Sequence, residues 1–215
     1  MTKHFREPIN GITHLTGAIL SLLGLIALII KVNLLHGSSI EYISIIAFGV
    51  SMILLYSASA TYHSVISTDA VIKVLKKVDH SMIFVLIAGS YAPLCLIALK
   101  NSIGRTLFTA VIVCAIIGIA FKIAWVTCPK WVSSTIYICI GWFAAFAIYP
   151  LSKVLDPAGI FFLFFGGILY TIGGVIYALK SDKIRIGSFG NHEIFHIFIM
   201  LGSICHFICV FSYVL

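Results

Sequence analysis

Charge is scarce in this chain. Asp, Glu, Lys and Arg make up 10% of its 215 residues, against about 25% in a soluble domain. No stretch has the polar composition of a soluble domain or a disordered tail. Paired cysteine spacing is missing too. Cys95, Cys114, Cys128, Cys139, Cys205 and Cys209 include no CxxC and lie mostly inside apolar segments. They are expected to be small core hydrophobes, not disulfides or metal ligands. No small-residue cleavage site closes a short apolar core in "MTKHFREPINGITHLTG", so the first apolar run is expected to be a retained helix, not a cleaved signal. The formal charge is +7, but no basic patch interleaved with aromatics accompanies it, which argues against a nucleic-acid partner. The basic residues sit between apolar runs, where they serve as topology signals and headgroup contacts. Amphipathic barrel hairpins are also missing, so nothing suggests a secreted pore-forming toxin.

What is present is apolar sequence, 61% of the chain. A helix that crosses a bilayer needs about 20 mostly apolar residues. Seven segments qualify: 12–32, 41–62, 79–99, 106–126, 133–151, 158–180 and 192–214. Turn or charge signals separate them, among them "HGSS", "STDA", "KNSIGR" and "TCPK". The connections are short, so the expected fold is an all-α membrane protein, a single seven-helix transmembrane bundle in the cell membrane. Placing the N-terminus in the cytoplasm puts Lys3, Arg6, Lys73, Lys76, Lys77, Lys122, Lys130, Lys180, Lys183 and Arg185 inside. It leaves Lys31, Lys100, Arg105 and Lys153 outside. Basic residues favour the cytoplasmic side, so the C-terminus is expected to be extracytoplasmic. "VIKVLKKV" (71–78) reads as a short interfacial stretch. The Gly/Pro pair in "AGSYAP" (88–93) reads as a kink in the third helix.

Ionisable residues inside apolar helices are costly, and each needs a reason. His63 closes the second segment, Asp79 opens the third, and His192 and His196 lie in the first turns of the seventh, all at one membrane face. His192 and His196 are four residues apart, so they share a helix face about one turn apart and can chelate one ion. Asn191 suits the N-cap of that helix. Ser59 lies four residues before His63, on its face. Three imidazoles are the donor set of a catalytic zinc site with one open position, and Asp79 remains as a carboxylate outside that set.

"HEIFH" (192–196) also fits the H-E-x-x-H of zinc proteases, in which the Glu is the general base. That reading fails on geometry. A third ligand must follow, and the only His, Asp or Glu after His196 is His206, about 15 Å further along the helix. Glu193 is expected to serve the helix N-terminus instead. His206 and Ser203 extend the polar face of the last helix, either as a buried hydrogen-bonding pair or as cavity lining. Glu7, Asn10 and His14, spaced i, i+3, i+7, open the first helix behind Pro8. They are expected to anchor that helix to its neighbours, the alternative being the rim of the metal cavity. His80 is expected to be interfacial, and His4 and His36 solvent-side.

These features resemble a family. "EPINGITHLTG", "SATYH" (59–63), "DHSMIFVLIAGSYAP" and "NHEIFHIFIMLGSICHF" are similar to segments of bacterial hemolysin III proteins. Those proteins are grouped with the progestin and adipoQ receptors and, more distantly, the alkaline ceramidases. The resemblance covers essentially the whole chain. It implies a seven-helix bundle with zinc near the cytoplasmic face, three His ligands matching His63, His192 and His196, an Asp matching Asp79 that holds a water at the metal, and a Ser matching Ser59. Position 193 is not part of the shared metal pattern. The long N-terminal region of the adiponectin receptors is absent here, so hormone signalling is not implied.

Three functions follow as expectations. One is an intramembrane zinc hydrolase of a lipid amide or ester, ceramidase-like, with Asp79 as base and Ser59 orienting the water or the oxyanion. Its partner would be a membrane lipid or fatty acid in the cavity of the bundle. Another is a non-enzymatic lipid sensor or membrane-homeostasis regulator with structural zinc. The last is a haemolysin or channel. An acyl-length cavity beside an open metal position favours the first, a closed four-ligand site the second, and a water-filled path the third.

Overall fold

The structure is a computed structural model that describes residues 5–179, 185–187 and 189–215. Seven helices are long and apolar enough to cross a membrane: α1 Pro8–Leu34, α2 Ser39–Ser64, α3 Asp69–Ala98, α4 Ser102–Ala124, α5 Lys130–Leu151, α6 Pro157–Leu179 and α7 Asn191–Val214. The described residues contain no strand beyond one isolated bridge between Ile186 and Phe189. The chain is a multi-pass membrane protein. Its large exposed side chains are apolar along whole helices, for example Ile12, Leu15, Ile19, Leu22 and Ile26 on α1. Such a surface suits lipid, where every backbone group must be satisfied within the helix.

Each helix packs on its sequence neighbours, most extensively α1 on α2, α2 on α3 and α6 on α7. α7 returns to α1 and closes the ring. Small residues permit the closest approaches. A Cβ at Gly89 of α3 would collide with the Ser51 side chain of α2, so only glycine lets these two backbones come so near. One buried cluster around Phe48, Met52, Leu55 and Tyr56 joins α1, α2, α3 and α7. A second, around Phe84, Tyr91, Val111 and Ile140, joins α3, α4 and α5.

Several boundaries differ from the sequence expectation. α3 begins at Asp69 behind Thr68, not at 79. "VIKVLKKV" is therefore the first two turns of a membrane helix and not a separate interfacial stretch. Apolar length marks only the hydrocarbon-spanning part, and Lys73, Lys76 and Lys77 carry the helix on past it. α1, α4 and α5 likewise start three or four residues earlier than apolar runs alone suggest. α3 runs as continuous helix through the Gly/Pro stretch 88–93. It stays α-helical to Pro93 and then widens into a π turn, Leu94–Ala98, closed by Leu99 N–H donating to the Leu94 carbonyl. Proline cannot donate a hydrogen bond, and a wider turn is one way to absorb that loss. α5 tightens to a 3-10 helix over Trp142–Ala147. Lys3, Lys180 and Lys183, used for the topology expectation, and His4, expected to be solvent-side, lie outside the described residues, as does the last residue of the expected 158–180 segment.

Candidate metal centre

His63, His192 and His196 come together. One ring nitrogen from each lies within 4.8 Å of the others, so the three could hold a metal ion. The ring centroids are 4.9 Å apart for His63–His192, 5.0 Å for His63–His196 and 4.5 Å for His192–His196. His63 and His196 are buried, at 2% and 1% exposure.

The elements explain this convergence. α2 ends one residue after His63, and the segment leading into α1 runs back along that end. Glu7 N–H donates to the His63 carbonyl at 2.9 Å, and Arg6 N–H to the Ser64 carbonyl. Pro8 then starts α1 with its φ already set for a helix. The turn delivers the Glu7 carboxylate to the imidazole: His63 Nδ1–H donates to Glu7 Oε2 at 2.6 Å. That bond holds the Glu7 carboxyl down at about 2, well below its ordinary value, and Arg6 beside it assists. An ionised Glu7 fixes the His63 tautomer, with the proton on Nδ1 and a lone pair on Nε2.

That lone pair faces His192 Nε2 at 3.2 Å. Two ligands of one tetrahedral zinc, each about 2.0–2.1 Å from it, would stand about 3.3–3.4 Å apart. His196 Nδ1 lies 3.5 Å from Thr13 Oγ1, which leaves its Nε2 for the centre. The donor set, the spacing and the carboxylate behind one ligand therefore fit a zinc-type ion.

The expectation for the start of α1 is corrected. Glu7, Asn10 and His14 belong to the centre and do not merely anchor a helix. Asn10 Nδ2 donates to Glu7 Oε2 and to Glu193 Oε1, at 3.1 Å each, and so ties α1 to α7. His14 stacks on His196 with centroids 3.5 Å apart and an interplanar angle of 13°. Both His14 ring nitrogens are buried without a hydrogen-bond partner. The i, i+3, i+7 stripe signalled a shared face, but the distance from that face to α2 is a tertiary fact that spacing does not carry. Glu193 serves the α7 N-terminus as expected, accepting Gly190 N–H on Oε2 at 3.0 Å. The N-cap itself is Gly190, not Asn191. Asn191 turns instead to α6, where its Nδ2 donates to the Ile176 carbonyl.

The cluster opens on a cavity with about 1340 Å³ of empty space, mouth included. Ser59, Asp79, His14, His192 and His196 line one end, and Leu94, Leu163, Phe164 and His206 the other. The fifteen residue-to-residue steps from Asp79 to Leu94 on α3 rise about 22 Å, the length of an acyl chain. Asp79 is 7% exposed and Ser59 2%, and His63 and Ser59 are the side chains that act most strongly on the Asp79 carboxyl. Asp79 sits ten residues inside α3 and does not open it. His80 is not interfacial: it is buried and lines the same cavity, which is wide enough to expose two adjacent helix positions. Deeper, Ser203 joins Tyr56 and Tyr170 through contacts of 2.6 and 2.8 Å. His206 lines the cavity while its Nε2 meets the Leu163 carbonyl at 3.2 Å. Glycine at 166 makes room for that ring. All six cysteines are free.

A seven-helix membrane bundle with a histidine cluster at one end of an acyl-length cavity defines the class. The profile of the family described as Haemolysin-III related matches residues 2–207. The protein called Hemolysin-3 in Bacillus cereus is 41% identical over 218 residues, covering 100% of this chain and 95% of that protein. The Hemolysin-3 homolog of Bacillus subtilis (strain 168) is 41% identical over 140 residues, 65% of this chain and 63% of that protein. A shorter match, 28% over 82 residues, covers 33% of this chain and 26% of the ADIPOR-like receptor IZH2 of Saccharomyces cerevisiae. The chain belongs to the Haemolysin-III related family of membrane proteins.

Proposed function

We propose that the protein is an intramembrane zinc-dependent hydrolase acting on the amide or ester of a lipid. The observation that carries this reading is the placement of three convergent imidazoles and one non-ligand carboxylate at the polar end of an apolar, acyl-length cavity. His63, His192 and His196 hold the ion, and Glu7 keeps His63 in the tautomer that presents Nε2. Zinc there supplies Lewis acidity, polarising a carbonyl and lowering the pKa of water. Asp79 accepts the proton of the attacking water. Ser59 orients that water or donates to the oxyanion as it develops. The apolar wall holds the acyl chain and excludes bulk water, which strengthens each of these contacts. A metal site with three protein ligands keeps a position open, whereas a structural zinc is closed by four. The N-terminus and the histidine end face the cytoplasm in this reading, and a reporter fused after Leu215 should read as extracytoplasmic.

The experiment is release of fatty acid from N-acyl and O-acyl lipids by the purified, zinc-loaded protein. Wild-type turnover that Asp79→Asn abolishes with zinc retained would establish the reading. Full activity in that variant would move the assignment to a lipid-sensing protein with structural zinc.

A further inference from the structure

A second polar group stands behind part of the cavity wall. Lys122 of α4 is 1% exposed. It is not a headgroup contact, as its place near the end of an apolar run suggested. Its Nζ donates to Ser133 Oγ at 2.5 Å and to Cys128 Sγ at 3.2 Å, and no Asp or Glu pairs with it among the described residues. A lysine buried inside a membrane bundle without a carboxylate partner is costly and calls for a functional counter-charge.

Ser133 connects that charge to the cavity. Its Oγ accepts from Lys122 and lies 3.1 Å from Cys128 Sγ; with that thiol as the donor, the hydroxyl hydrogen is left to donate, and Ser133 is part of the wall. Two neighbours in the same wall are unpartnered: Ser134 Oγ, on a residue 4% exposed, and His80 Nδ1, on a residue 9% exposed. Tyr137, one turn after Ser133 and also in the wall, donates to the His80 carbonyl at 3.0 Å. This links the group to Asp79, the residue before His80. Ser133 and Ser134 also lie near the start of α5, the positive end of that helix dipole.

We propose that Ser133, Ser134 and His80, with Lys122 behind them, form an anion subsite for the phosphate of a single-chain acyl lipid whose tail occupies the apolar cavity. The inference rests on the reading of that cavity as an acyl site and narrows its ligand to a phosphate-headed lipid. The anion accepts hydrogen bonds from the two serine hydroxyls and the imidazole. Lys122 neutralises it through Ser133, and the acyl carbonyl falls between this wall and the histidines.

The test is binding to the full-length protein in uncharged maltoside micelles, with three probes: palmitoyl glycerol phosphate, palmitoyl glycerol and inorganic phosphate. The wild type should bind the phosphate lipid about tenfold tighter than the uncharged one, a charge-assisted margin. Lys122→Met should erase that preference and leave the uncharged lipid's affinity unchanged. Ser134→Ala breaks no bond within the protein, so it keeps the fold and should reduce the preference several-fold. This second variant decides the matter if Lys122→Met fails to fold. Competition by inorganic phosphate at the lipid's own concentrations would assign the subsite to free phosphate. Binding of the lipid without such competition assigns it to the headgroup. A preference for the phosphate lipid that survives both variants would overturn the proposal. Repeating the binding in Asp79→Asn separates the two readings: a Lys122-dependent preference there, with no hydrolysis by the wild type, refutes the hydrolase and leaves the subsite standing.

Discussion

The two ends of the bundle handle their polar groups in opposite ways. At the end away from the histidines, the helix starts are capped locally, and one contact crosses between helices. Glu41 Oε2 accepts from the backbone and hydroxyl of Ser38 at the start of α2. Asn101 Oδ1 accepts Gly104 N–H at the start of α4, and Asp156 Oδ1 accepts Ala158 N–H at the start of α6. Lys31 donates to the Phe211 carbonyl and lies over its ring. At the histidine end the bonds cross between helices and remain incomplete. Among the described residues, every buried polar side-chain atom without a hydrogen-bond partner belongs to that end: Arg6, Asn10, His14, His80, Ser81, Ser134, Asn191 and His192. Buried polar atoms in native proteins are almost always satisfied, so a concentration of exceptions marks where something other than the chain completes the structure. One end is completed by contacts within the chain; at the other, the unpartnered groups gather.

Breaking the histidine end should therefore cost function, and breaking the far end only stability. The largest effect belongs to the imidazoles. His63→Ala, and His192→Ala combined with His196→Ala, should each remove nearly all bound zinc, measured by elemental analysis of purified protein, while Lys31→Met should leave the metal content untouched. Asp79→Asn comes next. It should purify folded and zinc-loaded, with hydrolysis reduced by about 10²–10⁴-fold, the usual contribution of a general base. Glu7→Gln should weaken metal binding by about 10–100-fold, as loss of the carboxylate behind a histidine ligand does, read as the chelator concentration needed to strip half the zinc. The Glu7 carboxyl is held down to about 2 from an ordinary 4.5. Its contribution is thus complete above that ordinary value and fades as pH falls towards 2. Glu193→Gln should be the mildest. An amide still accepts from Gly190, so zinc should stay and the melting temperature fall only slightly; loss of hydrolysis with zinc retained would return the protease-like reading of "HEIFH" to consideration.

The same contrast explains what could be read before folding. Seven apolar runs fix the helix count, because bilayer thickness sets their length. The His192–His196 spacing, the place of Ser59 on the face of His63, and the common membrane face of His63, Asp79, His192 and His196 follow from helix geometry and chain order alone. The contacts of Glu7, Asn10 and His14 could not be read, since their partners lie on α2 and α7 and no periodicity gives the distance between helices. His80 was misread because a wide cavity exposes two adjacent positions of α3. Lys122 was misread because a lysine near the end of an apolar run looks the same in sequence whether it reaches headgroups or turns inward to Ser133.

The central claim is that one ion joins His63, His192 and His196. Anomalous X-ray diffraction from crystals of the purified protein, recorded on both sides of the zinc absorption edge, tests it most directly. The account predicts a single peak about 2.0–2.1 Å from one nitrogen of each of the three rings, with Asp79 outside bonding distance. A map without that peak, or a peak bound by Asp79 or His206 in place of one of the three histidines, would contradict it.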